Sequence, residues 1–162
     1  GPLTNPAGAR WQLVGVYEQR WVRPLAEAFA NLGSKHTLVV HSEDGLDEIS
    51  IAAPTTVCEF RDGTLSDYEF SPEDHGVERQ ALDLIRVDDA SGSLTLIREA
   101  LGGTAGPAYD MVALNAGATI YVADLADSLD AGIERAREVL DSGSGLARLE
   151  EMVAYSQRFE AA

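Results

Sequence analysis

Sulfur and positive charge are both scarce in this sequence. Cys58 is the one cysteine in 162 residues, so no internal disulfide can form and a cysteine-based zinc cluster lacks its partners. A reducing, cytoplasmic setting is the expectation. Lys and Arg total 12 against 27 acids, a formal net charge of −15. Nucleic acid and anionic membranes both call for a basic face, so neither is expected as a partner. A polyphosphate substrate stays compatible if metal ions lie between the like charges, although acidity can also serve solubility alone. No apolar run approaches about 20 residues, which argues against a membrane-spanning helix, and no basic-apolar-small leader points to secretion. P-loop, nucleophile-elbow, zinc-protease and dinucleotide fingerprints are missing too. Gly143-Ser144-Gly145 is a helix break, because no Lys follows it as a phosphate cradle requires.

What is present reads as α/β. The opening Gly1-Pro2-Leu3-Thr4-Asn5-Pro6-Ala7-Gly8 is rich in turn formers. Gln12 to Tyr17 predicts a strand, and about Arg20 to Leu32 a helix with Trp21, Leu25, Phe29 and Leu32 on one face, closed by Gly33. Thr37 to His41 predicts a second strand. Strand, helix, strand implies a parallel pair with a right-handed crossover. Val57 to Arg61 and Leu65 to Phe70 flank Asp62-Gly63, a two-residue hairpin signal. Ser71 to Gly76 is a turn, and Arg79 to Val87 fits no single template.

Four helices follow. From about Ser91, Leu94, Ile97 and Leu101 share a face. Pro107 suits the first turn of an apolar helix reaching Ala123. Asp127 or Ser128 caps a helix carrying Leu129, Ile133, Ala136 and Leu140, which Gly143 ends. Ser144 opens the last, with Leu146, Leu149 and Val153 expected inward. A sheet this small cannot cover both faces of a parallel α/β domain, and the chain opens inside a turn motif without an initiator Met. A portion of a larger domain is the expectation.

Chemistry concentrates where the second strand runs out. His41-Ser42-Glu43-Asp44-Gly45-Leu46-Asp47-Glu48 carries adjacent carboxylates, Asp47 and Glu48, beyond a strand terminus where open α/β sheets bind ligands. Such a pair can hold Mg²⁺, which takes oxygen ligands and is often shared between carboxylates and substrate phosphates. The plainer alternative makes one acid a cap for the next turn and the other a solvated surface group. Glu43 and Asp44 read as loop surface. His41 could be a ligand or a base, but one structural hydrogen bond is the ordinary use of a strand-end His. His36 and His75 are expected in solvent at turns. Asn115, inside an apolar helix, needs a partner if buried and could anchor a neighbouring loop. Trp11, Trp21, Tyr109, Tyr121 and Tyr155 are spread too widely for one aromatic site and suit packing. Cys58 reads as a small buried apolar residue.

Taken together, Gly1-Pro2-Leu3-Thr4-Asn5-Pro6-Ala7, Gln12-Leu13-Val14-Gly15-Val16-Tyr17, Val39-Val40-His41 with Asp44-Gly45-Leu46-Asp47-Glu48-Ile49-Ser50, Leu114-Asn115-Ala116 and Asp127-Ser128-Leu129 resemble the anthranilate phosphoribosyltransferase family in order and spacing across the whole chain. The resemblance implies part of the nucleoside phosphorylase/phosphoribosyltransferase catalytic domain. Residues 1–162 would be its C-terminal portion, without the N-terminal helical domain and the first half of the α/β domain. It also implies transfer of phosphoribose from 5-phosphoribosyl 1-diphosphate (PRPP) to anthranilate in tryptophan biosynthesis, with Mg²⁺, in a homodimer. The metal motif maps onto Asp47 and Glu48, and the turn beside the anthranilate channel maps onto Gly1 and Pro2. Where the family often has Gly after the strand-end His, this chain has Ser42. The Gly-rich diphosphate loop, the Lys-and-Asn phosphate segment and the anthranilate-binding Arg have no counterpart in these residues, so the chain alone is expected to be inactive. Two rivals remain: a non-catalytic nucleic-acid-binding paralogue of the same fold, which the charge disfavours, and a free-standing scaffold whose acids are merely solvated.

Overall fold

The strand–helix–strand unit anticipated at the start of the chain is present and parallel. The computed structural model describes residues 2–159. In it β1 (Trp11–Gly15) pairs in parallel with β2 (His36–Ser42) across α1 (Val22–Asn31). A 3-10 turn at Gln19–Trp21 feeds α1, and Pro24 falls in the first turn, where its missing N–H costs nothing. Gly33, at φ +84, stops the helix: Ser34 N–H donates to the Phe29 carbonyl and Gly33 N–H to that of Ala30.

β3 (Thr55–Arg61) and β4 (Thr64–Phe70) form the predicted hairpin. Asp62 and Gly63 both take positive φ, +50 and +81, as a two-residue turn matching the strand twist requires. β2 pairs antiparallel with β3, giving the order β1-β2-β3-β4. The helices follow as α2 (Ala90–Leu101), α3 (Pro107–Val122), α4 (Leu129–Asp141) and α5 (Ser144–Ser156). Ser128, rather than Asp127, caps α4: its hydroxyl accepts from Ala131 N–H. The ambiguous segment 79–87 is irregular, with a 3-10 turn at Leu82–Ile85. No helix among the described residues is long and apolar enough to cross a membrane.

Strand alternation sorts the core onto two sides of the sheet. Leu38, Val40, Val57 and Phe70 meet Leu114, Ala118 and Val122 of α3 and Ile133 of α4. Val39 and Cys58 meet Val22, Ala26 and Phe29 of α1. Each fully buried large aliphatic or aromatic side chain contributes about 1.5–3 kcal/mol. Against α4, α3 packs without spacer: a Cβ on Gly132 would lie 2.3 Å from the Gly117 carbonyl oxygen, so the backbones touch.

Three expectations from periodicity need correction. On α1 the buried residues are Val22, Ala26 and Phe29, while Trp21 and Leu32 are exposed, because Trp21 belongs to the 3-10 turn before the helix and Leu32 is its C-cap, so both fall outside the regular helix. On α2, Leu94 and Ile97 remain exposed and Ala100 is the buried position. α5 buries no residue completely: Leu146 and Leu149 are half-buried, and the exposed Val153 lines a cleft with Leu94 and Leu149. The two histidines expected in solvent are not there. His75 stacks on Phe70 and meets Asp130 Oδ1 at 2.6 Å. His36 is 1% exposed.

His36 anchors a polar network at the amino end of β2. Its Nε2 lies 2.8 Å from Glu59 Oε1 and its Nδ1 3.1 Å from Asp124 Oδ1. Each ring nitrogen thus has a carboxylate within hydrogen-bond reach. Glu59 also accepts from Tyr121 at 2.7 Å and Tyr68 at 3.0 Å. Burial pushes the Glu59 carboxyl up, but the bonds from His36, Tyr121 and Tyr68 outweigh it and hold it below its usual range. Asp124 occupies the left-handed position after α3 at φ +56, where Gly is the usual choice. Its carboxylate accepts from Trp11 Nε1 at 2.8 Å, and that bond, with His36 and Arg61, lowers its pKa.

A depressed carboxylate stabilises the fold fully above the unfolded Glu value of about 4.3 and loses that contribution as pH falls through the lower folded value. Glu59→Gln should therefore cost about 2–4 kcal/mol at pH 7. Urea melts from pH 7 down to 3 should show the variant's deficit shrinking with acidity; a deficit that stays constant would remove Glu59 from this role.

Candidate functional site

Ser42, the last residue of β2, is buried, and the chain beyond it folds into a loop that satisfies its own polar groups. Ser42 N–H donates to the Leu46 carbonyl, Gly45 N–H to that of Ser42 and Glu43 N–H to that of Pro54. Gly45 makes the turn at φ +94, a conformation that favours glycine. Asp44 is more than loop surface: Oδ1 accepts from Leu46 N–H at 3.2 Å and Oδ2 from the Ser50 hydroxyl at 2.5 Å. Ser50 Oγ in turn accepts from Ala52 N–H at 2.9 Å, and Thr55 Oγ1 accepts from Ser50 N–H. Glu43 and Asp44 therefore differ in kind, the second being structural.

Asp47 and Glu48 are both exposed, and neither carboxylate has a hydrogen-bond or ion-pair partner among the described residues. Two contacts fix the backbone that carries them. A Cβ on Gly15, the last residue of β1, would lie 1.4 Å from the Asp47 carbonyl oxygen, so Asp47 rests directly on the end of β1. On the other side, Asn115 of α3 accepts from Ile49 N–H at 3.0 Å and donates to the Ile49 carbonyl at 2.8 Å. Ile49 itself is fully buried. The acid pair thus stands over the carboxyl ends of the parallel strands, the ligand position of open α/β sheets. The anchoring expected of Asn115 is observed. Gly15 escaped the sequence reading, although a glycine inside a strand pattern is a known mark of close backbone approach.

His41 makes the structural bond expected of it. Its Nδ1–H donates to the Val16 carbonyl at 2.8 Å. Cys58 is buried between β3 and α1, and burial with Asp67 beside it pushes the thiol up to about 12, so it stays protonated and inert.

The donor set suits a hard divalent cation. Two unengaged carboxylates supply hard oxygens, as Mg²⁺ prefers when substrate phosphates complete its shell. No group of three or more His, Cys, Asp or Glu that could hold a metal is found among the described residues, so a closed protein cage does not fit. Of the residues expected beside the second substrate, Gly1 lies outside the described residues. Pro2 is exposed in a 3-10 turn and lines a cleft of about 680 Å³ along β1, from Trp11 to Gly15. Asp47 and Glu48 do not line that cleft, but Gly15 at its end is the residue on which Asp47 rests.

The model of the glycosyl transferase family, a/b domain, matches residues 1–146. An anthranilate phosphoribosyltransferase of Thioalkalivibrio sulfidiphilus is 55% identical over 156 residues, 96% of this chain and 46% of that protein. The chain thus spans about half the length of the curated relatives it matches. The crystal structure of the Thermus thermophilus anthranilate phosphoribosyltransferase superposes with a TM-score of 0.87 at 40% identity, over 96% of this chain and 46% of that one. The Saccharomyces cerevisiae enzyme, in complex with PRPP and Mg, superposes at 0.74 and 27% identity, over 85% of this chain and 40% of that one.

Ser50→Ala should remove the bridge between Asp44 and Ala52 N–H and cost about 1–3 kcal/mol. Hydrogen exchange at the Leu46 and Ala52 amides should accelerate; wild-type exchange at both would show that the loop does not depend on Ser50.

Proposed function

The chain belongs to the glycosyl transferase family that this α/β domain defines, and from that membership we propose that residues 1–162 are the C-terminal part of the catalytic domain of an anthranilate phosphoribosyltransferase. The reaction would join the anomeric carbon of PRPP to the amine of anthranilate and release diphosphate, a step of tryptophan biosynthesis. The observation that carries this reading is the acid loop: two unpartnered carboxylates at the end of a parallel strand pair, in a chain 55% identical to a relative of that name. A cytoplasmic homodimer belongs to the same proposal.

Loss of diphosphate leaves positive charge on the sugar carbon and adds negative charge to the departing group. Mg²⁺ held by Asp47 and Glu48 together with phosphate oxygens would neutralise the charge on the leaving diphosphate. The two acids touch neither the sugar nor the amine in this reading, and no side chain forms a covalent bond to substrate. Gly1 and Pro2 would flank anthranilate. The chain's contribution is then position and electrostatic field rather than a nucleophile, in keeping with an inert Cys58. Residues 1–162 alone are inactive under this proposal and act as one wall of a site completed by the longer polypeptide.

In the intact enzyme, Asp47→Ala combined with Glu48→Ala should lower Mg²⁺-dependent turnover by about 100-fold or more while circular dichroism stays native. Wild-type turnover at every Mg²⁺ concentration would end the cation assignment.

A further inference from the structure

We infer that Asn115 and Gly15 are positioning residues for the acid pair, which fix the aim of Asp47 and Glu48 from opposite sides without touching a ligand themselves. The inference rests on the cation reading above and goes beyond it by naming what sets the geometry.

The Asn115 amide engages both backbone groups of a single residue. Its oxygen takes Ile49 N–H, and its nitrogen gives protons to the carbonyls of Ile49 and Met111, at 2.8 and 3.0 Å. Flipping the amide would set donor against donor and acceptor against acceptor, so one orientation holds. The α3 backbone does not need these bonds to Ile49, and Asn is a poorer helix former than Ala. The peptide link between Glu48 and Ile49 therefore gains a fixed plane from a side chain that helps its own helix little.

Gly15 closes the other flank. The Asp47 carbonyl oxygen occupies the volume of a side chain that β1 omits at that point. Any larger residue pushes the backbone of Asp47 off the strand end, because backbone cannot yield as a flexible side chain can. Between the Asp47 carbonyl and the Ile49 N–H lies the α-carbon of Glu48, and the α-carbon of Asp47 is bonded directly to the first of these anchors. Groups that orient metal ligands typically change affinity by about 10–100-fold when lost, and a small displacement of a donor suffices to do so.

A purely structural role for Asn115 and Gly15 predicts lower stability with an unchanged response to cation, and that difference makes the test. In the intact enzyme, Asn115→Ala, Gly15→Ala and the double variant Asp47→Asn/Glu48→Gln are compared with Leu140→Ala, a core change in α4 remote from the loop. Binding of Mn²⁺ in the presence of inorganic diphosphate is followed by electron paramagnetic resonance, and amide hydrogen exchange is read over residues 46–50. Asn115→Ala and Gly15→Ala should each weaken Mn²⁺ binding by about tenfold or more and speed exchange in the loop. Leu140→Ala should lower the melting temperature and leave the Mn²⁺ curve in place. Should Gly15→Ala fail to fold, Asn115→Ala decides, since Ala favours the helix. A wild-type Mn²⁺ curve for folded Asn115→Ala, with the double acid variant weakened, overturns the positioning role alone. A wild-type curve for the double acid variant overturns the cation reading and this inference together.

Discussion

Strand β2 has no side open to water at its centre, and the rest of the structure is arranged around that constraint. It pairs with β1 on one edge and β3 on the other, with α3 over one face and α1 over the other. Leu38, Val39 and Val40 are all essentially unexposed. Polar groups at the two ends of such a strand must be satisfied within the protein or carried out to solvent. The amino end takes the first course, closing His36 between Glu59 and Asp124. The carboxyl end takes the second, through a loop that bonds to itself and lifts two carboxylates clear.

This division separates groups whose bonds are made from groups with bonds to spare along one strand. The His36 network ties β1, β2, β3, β4 and the end of α3 together through Trp11, Glu59, Tyr68, Tyr121 and Asp124, all of whose polar groups face each other. At the other end, Asp44 and Ser50 spend their hydrogen bonds on the loop, and Asp47 and Glu48 keep theirs available. A charge whose bonding capacity is unspent next to a rigid frame is what a ligand site requires.

Features set by neighbours in sequence were legible without a structure. Asp62-Gly63 announced its hairpin because positive φ at both positions is a local demand, and the apolar spacing around residues 12–41 announced the parallel pair. The acid loop was visible as a pattern for the same reason. Faces set by packing were not. Trp21 and Leu32 match a helical period yet are exposed, because the regular helix begins after the first and ends before the second. His36 and His75 looked like turn residues, and no local rule foretells that Glu59 and Asp124, 23 and 88 positions away, would enclose the first of them. Gly15 was in plain view, but its meaning depends on Asp47 arriving from 32 residues further on.

Helix α3 reaches both ends of β2. Asn115 holds the acid loop, and Tyr121, six positions later, holds Glu59. Six residues advance about 9 Å along the axis, and each turns the helix by about 100°. Gain or loss of one residue between them would swing one of the two side chains off its target while leaving the helix apolar and intact. The span from Asn115 to Tyr121 is therefore a gauge of fixed length. Over evolutionary time, residues should enter and leave this lineage in the connections around α3, such as 102–106, and not within that interval.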